Sequence, residues 1–163
     1  MKTFKLIVLV ITSFVLITTS QAKVVITEVM PCNISTYMDK GVYNFPGWME
    51  LYNDGDELSL KGYTISHYKI KDDQQVLKWE WTITEDIKVG SEAYRLLFFD
   101  EEDASKHAPY KLDSDGGIII LSQGKNKIDS LKYSRMDTHI SYGRYGDGAG
   151  YMNPTPKAEN SAA

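Results

Sequence analysis

The sequence predicts an all-β protein built from two packed sheets, on the evidence of three features of residues 23–163. Short apolar and aromatic segments are separated by turn residues roughly every 8–15 positions, which is typical of a sandwich or barrel. No stretch shows a sustained 3.6-residue apolar period, so long helices are not expected. Residues 116–122 and 127–133 form the clearest predicted hairpin, because Gly124 lies in a tight turn between two β-rich segments.

The first two predicted strands cover residues 23–30 and 48–52. Because successive side chains in a strand point to opposite faces, Val25, Thr27 and Val29 are expected to share one face of the first strand. A loop rich in polar and turn residues connects the two strands.

The later strands are predicted from β-branched and aromatic segments at residues 62–68, 76–83, 94–99, 118–121 and 128–133. Residues 94–99 and 118–121 are continuous apolar runs, which predict buried strands. Trp79 and Trp81 have the same parity and should lie on one face, with one of them packed between the sheets.

The first 22 residues have the pattern of a secretory signal peptide cut after Ala22. Lys2 and Lys5 form a positive start, and an apolar stretch of about 12 residues follows, which is too short to span a bilayer. This pattern predicts an exported protein that is periplasmic, cell-surface or extracellular, with no membrane span after cleavage. The expected divisions are a signal peptide at 1–22, a sandwich domain at 23–152 and a tail or linker at 153–163.

The charge and cysteine content restrict the partners and the source of stability. Residues 1–22 hold two lysines and no acid, so residues 23–163 carry 16 basic and 22 acidic residues, a net charge of −6. Nucleic-acid binding is not expected, because it depends on lysine and arginine neutralising phosphates. Cys32 is the only cysteine, so no internal disulfide can form, and we expect a small buried thiol.

Six short segments, taken in order, carry a resemblance to a known family: Ile26-Thr-Glu-Val-Met30, Gly47-Trp-Met-Glu-Leu-Tyr-Asn53, Leu58-Ser-Leu-Lys-Gly-Tyr63, Lys111-Leu-Asp-Ser-Asp-Gly116, Ser141-Tyr-Gly-Arg-Tyr-Gly-Asp-Gly148 and Thr155-Pro-Lys-Ala-Glu-Asn160. Together they resemble the lamin tail domain family, an immunoglobulin-like sandwich found in nuclear lamins and in exported bacterial proteins. The chain departs from the family at Lys157, where glycine is common, and in a longer loop at 39–46.

The resemblance implies a non-catalytic interaction module that serves as a scaffold or spacer and contacts a protein or a cell-surface polymer. In bacteria, domains of this family look like accessory domains of larger exported hydrolases or of spore-coat-protein-H-like proteins. The tail at 153–163 is Pro-punctuated, polar and small, as a linker would be, so the chain is expected to be the front part of a longer protein. This function rests on analogy with the family and not on a site.

A structural ion pair is expected between Glu50 and Arg144. In the strand 48–52, Met49 and Leu51 fall on one face, and Glu50 falls on the other between two aromatic residues. A carboxylate in such surroundings is costly to bury unless it finds a cation. Arg144, in the segment 141–148, is the predicted partner.

No catalytic or metal-binding motif is apparent, so an enzyme is not predicted and no cofactor is expected. The three histidines, His67, His107 and His139, lie in no recognisable nucleophile or metal motif. The acidic clusters fit solvated turns better than calcium loops, which need spaced oxygen ligands. If a metal is bound, the expected ligands are the residues with the greatest charge density, Asp100, Glu101, Glu102 and Asp103.

The predicted binding residues are Tyr43 and Phe45, in the long loop before the second strand. Loops carry function on such scaffolds, and exposed aromatic side chains can anchor a partner. The alternative for this pair is a place in the core. An alternative function is a carbohydrate-binding module, which burial of the three tryptophans would disfavour.

Overall fold

The computed structural model describes residues 24–102 and 104–162, and this part of the chain is all-β, as predicted. It contains twelve strands: β1 (Val24–Met30), β2 (Gly47–Asn53), β3 (Leu58–Ser59), β4 (Tyr63–Lys71), β5 (Gln74–Thr82), β6 (Lys88–Val89), β7 (Ala93–Phe99), β8 (His107–Ala108), β9 (Gly116–Gln123), β10 (Asn126–Ser134), β11 (Ser141–Tyr145) and β12 (Gly148–Met152). Over the described residues, we find no helix with the length and apolarity that a membrane crossing requires. The predicted signal peptide lies outside the described residues.

The strands form two main sheets and one small one in a sandwich-like arrangement. The six-stranded sheet has the order β12-β11-β1-β2-β7-β8, and the four-stranded sheet has the order β10-β9-β4-β5. Strands β3 and β6 make a separate two-stranded ribbon. The predicted hairpin is confirmed as β9 and β10, which pair antiparallel with Gln123 opposite Asn126.

The main core lies between the two large sheets. The six-stranded sheet contributes Ile26, Met49, Leu51, Leu97 and Phe99, and the four-stranded sheet contributes Ile65, Trp79, Ile119, Leu121 and Leu131. Trp79 and Trp81 do share a face, since both pack on Phe99, with ring centroids 5.5 Å and 6.0 Å away. Trp79 is buried and Trp81 is half-buried.

A second apolar cluster lies on the opposite, outer side of the six-stranded sheet. It contains Met30, Trp48, Leu96 and Phe98, with Tyr37 from the loop before β2 packed against it. Strand β7 therefore contributes alternate residues to two cores, and Leu96–Phe99 are all buried. The prediction of a buried strand at 94–99 is confirmed for residues 96–99, whereas Tyr94 and Arg95 are half-buried.

Strand β9 is buried on one face only, so the matching prediction for 118–121 is wrong in part. Ile119 and Leu121 lie in the main core, whereas Ile118 and Ile120 are half-buried on the outer face of the four-stranded sheet. In the part of the chain that the structure describes, no second apolar cluster forms over this face as one does over the six-stranded sheet.

A register shift in β1 overturns the predicted parity of the first strand. The pairing of β1 with β2 is irregular between Ile26 and Glu28, where Thr27 is skipped. Because of this bulge, Ile26 on one side of it and Val29 on the other both face the main core. Glu28 faces outward with Glu50. An extra residue of this kind reverses the alternation on one side of the bulge, and the amino-acid pattern does not reveal it.

The segment predicted as a tail belongs to the folded unit as far as Asn160. The Asn160 side-chain amide donates to the Thr27 carbonyl at 2.9 Å, and its oxygen accepts from the Thr155 hydroxyl at 2.9 Å. Residues 153–160 therefore lie on β1 and β2 and do not form a free linker up to that point.

Candidate functional site

The loop at residues 32–46, between β1 and β2, exposes more apolar surface than its polar composition suggests. The side chain of Tyr43 is 80% exposed, that of Ile34 is 55% exposed and that of Met38 is 38% exposed. Phe45, the other predicted binding residue, is half-buried. The structure thus leaves Tyr43 accessible and exposes two further apolar residues of the same loop, Ile34 and Met38, which were not among the predicted binding residues.

The side chain of Asn33 holds the first half of this loop. Its amide donates to the carbonyls of Tyr37 at 2.6 Å and Pro46 at 2.8 Å. Its oxygen accepts from the backbone N–H groups of Thr36 at 3.1 Å and Tyr37 at 3.2 Å. Four hydrogen bonds from one buried side chain close the loop at its base, and Tyr37 stacks on Phe98 below it.

A histidine between two aspartates ties the second half of the loop to the start of β8 and to the residue after β7. His107 Nε2 lies 2.8 Å from Asp39 Oδ2, and its Nδ1 lies 2.8 Å from Asp100 Oδ1. Burial raises the pKa of Asp39, but the Gly41 N–H and the His107 ring outweigh it and hold that pKa below its ordinary value. Asp39 also pairs with Asn44 through an isolated β-bridge, so the loop is fixed on both sides of Tyr43.

The His107 contacts resemble a catalytic arrangement but leave no reactive group free. The imidazole side chain is 1% exposed, and both of its nitrogens are engaged by carboxylates. A general base needs an accessible nitrogen within hydrogen-bond reach of a substrate proton. The Asp39–His107–Asp100 contact therefore positions two segments of chain.

The other two histidines lie in different environments from that of His107. His67 is buried between Trp79 and Tyr133, and the Tyr133 hydroxyl lies 3.2 Å from its Nε2. Burial, followed by the nearby Lys78, lowers the pKa of His67 to about 4. His139 is exposed, with its Nδ1 3.5 Å from the Ser35 hydroxyl, and no carboxylate is paired with it.

The acidic cluster considered for a metal is divided among other partners. Asp100 binds His107, and Glu101 pairs with Lys111 at 3.1 Å. Asp103 lies outside the described residues. Within the described ranges, no group of three histidine, cysteine or acidic side chains is arranged to hold a metal ion.

The predicted ion pair between Glu50 and Arg144 is wrong. Gly143 is opposite Glu28 across the sheet, and Glu28 is opposite Glu50, so all three positions share the outer face. Arg144 is the next residue in its strand and points to the other side. There its guanidinium forms a bidentate ion pair with the Asp129 carboxylate, with N–O distances of 2.7 and 2.9 Å, which joins β11 to β10.

Glu50 instead forms a buried pair with Glu28. Residues 153–160, called the closing segment from here on, cover both carboxylates. The Lys157 N–H donates to Glu50 at 2.5 Å, and the Thr27 hydroxyl donates at 3.0 Å. Glu28 accepts from the N–H and the hydroxyl of Thr155, both at 3.2 Å. Neither glutamate is exposed to solvent.

This environment raises the pKa of both glutamates. Burial is the largest cause for each, and it outweighs the hydrogen bonds that favour the charged forms. The negative charge of Glu28 adds to the effect on Glu50, whose pKa rises to about 7. Because residues 153–160 seal the pair from solvent, these carboxylates hold that segment against β1 and β2.

Comparison with known proteins adds nothing to these observations: no family model, no curated protein and no solved structure matches the chain. The fold itself defines the chain as an all-β sandwich. The loop at 32–46, at one end of the six-stranded sheet, is held by hydrogen bonds and exposes apolar side chains.

Proposed function

We propose that this chain is a non-catalytic interaction module that binds a protein partner through the loop at 32–46. The observation that carries the proposal is the exposure of Ile34, Met38 and Tyr43 on a loop that hydrogen bonds hold in place. A rigid loop loses little conformational entropy on binding, so exposed apolar side chains there contribute efficiently to affinity. Exposed apolar groups clustered in one segment mark interaction sites more often than scattered ones do.

A protein partner is favoured over a carbohydrate by the mixture of side chains. Sugar stacking uses flat aromatic surfaces, whereas Trp48 and Trp79 are buried and Trp81 is half-buried. Two tyrosines are among the well-exposed large apolar residues, and Tyr151 lies on β12, in a different element from Tyr43. The aliphatic side chains of Ile34 and Met38, which are exposed on the same loop as Tyr43, suit a protein surface better than a sugar ring.

We further propose that the sandwich is of the lamin-tail, immunoglobulin-like type. Support comes from the positions of the six similar segments, since 26–30, 47–53 and 141–148 lie on the neighbouring strands β1, β2 and β11. The segment 155–160 closes over them. At Lys157, where the family often has glycine, the backbone φ is 66°, in the left-handed region that glycine favours.

Export, and a role as an accessory domain of a larger exported hydrolase or spore-coat-H-like protein, are parts of the same proposal. Export is supported by the pattern at residues 1–22 alone. Sequencing the N-terminus of the secreted or envelope-bound protein tests it: we expect Lys23 as the first residue, and an uncut Met1 would contradict cleavage.

Site-specific photo-crosslinking tests the loop. A benzophenone amino acid at position 43, introduced in the cells that naturally make the protein, should give a discrete protein adduct. The same group at position 151, which also replaces an exposed tyrosine, is the matched control and should not give that adduct. No adduct at 43, or the same adducts from both positions, would contradict the proposal. Binding to a glycan array that is lost in a Tyr43→Ala, Phe45→Ala double variant would instead support the carbohydrate alternative.

A further inference from the structure

A second surface, remote in sequence from the loop at 32–46, is the outer face of the four-stranded sheet, called the open face below. The outward direction follows from alternation along the strands, since Ile65, Ile119 and Leu131 at intervening positions lie in the main core. The strand registers arrange the outward residues in rows, in the order β5, β4, β9, β10: Thr82, Thr64, Ser122 and Lys127; Glu80, Ser66, Ile120 and Ser130; Leu77, Tyr68, Ile118 and Lys132; Gln75, Ile70, Gly116 and Ser134.

The middle of the open face is apolar. Leu77, Tyr68 and Ile118 are neighbours in one row, and Ile120 and Ile70 lie in the rows on either side of it. Leu77 and Ile70 are exposed, and the other three are half-buried. In the described part of the chain, no second apolar cluster forms over these residues. A contiguous exposed apolar surface of this kind marks an interaction site.

The charges of the open face lie at its two edges. Glu80 is on the β5 edge, and Lys127 and Lys132 are on the β10 edge. All three are exposed, and none of them takes part in the ion pairs of the described residues. Three interstrand spacings, or about 14 Å, separate the two edges. The acid and the lysines are therefore too far apart to pair within one copy of the chain.

We propose that the open face is the interface of a homodimer, in which two copies pack their open faces together. The two-fold axis runs along the strands, between β4 and β9, and places β5 of each copy over β10 of the other. Each row stays at its own level, so Glu80 lies over Ser130 of the other copy. There it is within reach of both Lys127 and Lys132 of that copy, one row away on either side. An axis across the strands would instead place β5 over β5 and leave Glu80 without a cation.

The same axis also matches the apolar residues. Tyr68 of each copy lies over Ile118 of the other, close to the axis. Ile70 lies over Gly116 of the other copy, where no side chain stands and the backbone φ is 96°. A groove of about 320 Å³ at Gly116 leaves room for the isoleucine side chain. A large residue thus meets a glycine, and an apolar residue meets an apolar one.

The size of the open face predicts a reversible dimer. Four strands about 4.8 Å apart and four rows about 6.8 Å apart cover about 500 Å² in each copy. The dimer would therefore bury about 1,000 Å² in total, at the lower end of the range for specific interfaces. At low protein concentration the open face is in contact with solvent. The loop at 32–46 packs on the other sheet and remains accessible in both copies.

Sedimentation velocity at protein concentrations from about 1 to about 500 µM tests the proposal. We expect a monomer at the low end and a rising share of dimer at the high end. Glu80→Lys should weaken dimerisation by about tenfold or more at low salt, since it places a lysine between two others at each end of the interface. The double variant Lys127→Glu, Lys132→Glu should do the same. The matched control Glu57→Lys, at an exposed residue outside the four-stranded sheet, should stay within about twofold of the wild type.

Mixing the two charge variants separates this interface from a general effect on folding. In a mixed dimer, the lysine introduced at position 80 faces the two introduced glutamates. Glu80 of the double variant faces the unchanged Lys127 and Lys132, so every cross-copy pair is attractive. The mixture should therefore dimerise within about threefold of the wild type.

A monomer at every concentration would overturn the proposal and leave the open face to a different partner. A dimer that neither charge variant weakens, or a mixture that does not dimerise, would overturn it too. Tyr43→Ala should leave dimerisation unchanged, whereas its loss in that variant would place the interface at the loop and contradict the proposal. Circular dichroism checks that each variant is folded.

Discussion

Strands β7 and β9 have the same kind of sequence, a run of large apolar residues, but they differ in how much of it is buried. In β7, Leu96 and Phe98 lie in a second apolar cluster on the outer side of the six-stranded sheet. In β9, the corresponding outward residues Ile118 and Ile120 remain half-exposed. The difference comes from elsewhere in the chain, because Tyr37 and the closing segment lie over the first sheet.

The comparison explains where surface for partners is left. On the six-stranded sheet the chain provides its own cover, so the loop at 32–46 can be fixed by contacts beneath it while its exposed side chains point away. On the four-stranded sheet, Ile70 and Leu77 are 44% and 50% exposed, and Ile70 lines a shallow groove together with Lys132 and Arg135. An apolar sheet face beside unpaired cations is a surface suited to binding.

The largest effect is expected from removing matched aliphatic side chains in the two strands. Leu96→Ala should lower the free energy of unfolding by about 3 kcal/mol, because it leaves a cavity in the covered cluster. Ile120→Ala, which also truncates an outward aliphatic residue, should cost about 1 kcal/mol, since part of its surface is already in water. Urea denaturation measures both. Equal losses would mean that the two outer faces are equally covered.

The second prediction concerns how the buried Glu50 and the buried His67 make the free energy of unfolding depend on pH. An unfolded glutamate has a pKa near 4.5, and the pKa of Glu50 in the folded protein is about 7. Between these pH values the folded state keeps a proton that the unfolded state has lost. The contribution of Glu50 to the free energy of unfolding therefore falls as pH rises through this window. His67, with a pKa of about 4 against 6.5 when unfolded, acts oppositely and loses stability as pH falls below about 6.5.

Glu50→Gln should therefore separate the two contributions. Relative to wild type, its free energy of unfolding should rise by about 2 kcal/mol between pH 5 and pH 7.5, because the wild type loses the Glu50 term over that range. Glu57→Gln, at an exposed glutamate, is the control and should follow the wild type at every pH. Denaturation curves across this range measure the difference. A pH-independent difference for Glu50→Gln would contradict the proposed burial of the pair.

Much of the facing of side chains in the two main sheets could be predicted from the sequence, because alternation in a strand is a local property. The faces of Met49 and Leu51 followed from their spacing, as did the shared face of Trp79 and Trp81. The partner of Arg144 could not, since it depends on the register of β11 against β1.

Long-range contacts explain the other misses. The segments that cover the outer face of β7 are distant from it in sequence. The sequence pattern of β7 and β9 therefore predicted the same burial for both strands, and the prediction was wrong for the outer face of β9. The contact of Asp39 with His107 joins residues 68 positions apart, and neither residue lies in a motif. Ile34 and Met38 did carry a signal, because apolar residues within a polar loop are candidates for exposure.

A smaller effect is expected at Lys157, in the segment that covers the glutamates. Because its backbone is left-handed, Lys157→Gly should be more stable than Lys157→Ala by about 1 kcal/mol. Comparing these two variants with each other removes the loss of the Lys157 contact with the Tyr37 ring, which both share. Thermal denaturation of both is sufficient. If the alanine variant is as stable as the glycine variant, the closing segment does not hold this conformation in solution.

The smallest effect on stability is expected at the apex of the loop. Tyr43→Ala should change the free energy of unfolding by less than about 0.5 kcal/mol, since the side chain is almost fully exposed. Urea denaturation checks this value. A loss comparable to that of Leu96→Ala would show that Tyr43 packs on the domain and is not available to a partner.

Covalent footprinting tests most directly whether the chain covers one sheet and leaves the other open. Hydroxyl-radical labelling followed by mass spectrometry should modify Leu77 and Ile118 in the protein, while Leu96 and Phe98 stay protected. In a chain that ends at Met152, without the closing segment, labelling of Leu96 should rise and that of Leu77 should not change. Equal labelling of Leu96 and Leu77 in the untruncated protein would contradict the difference in cover between the two sheet faces.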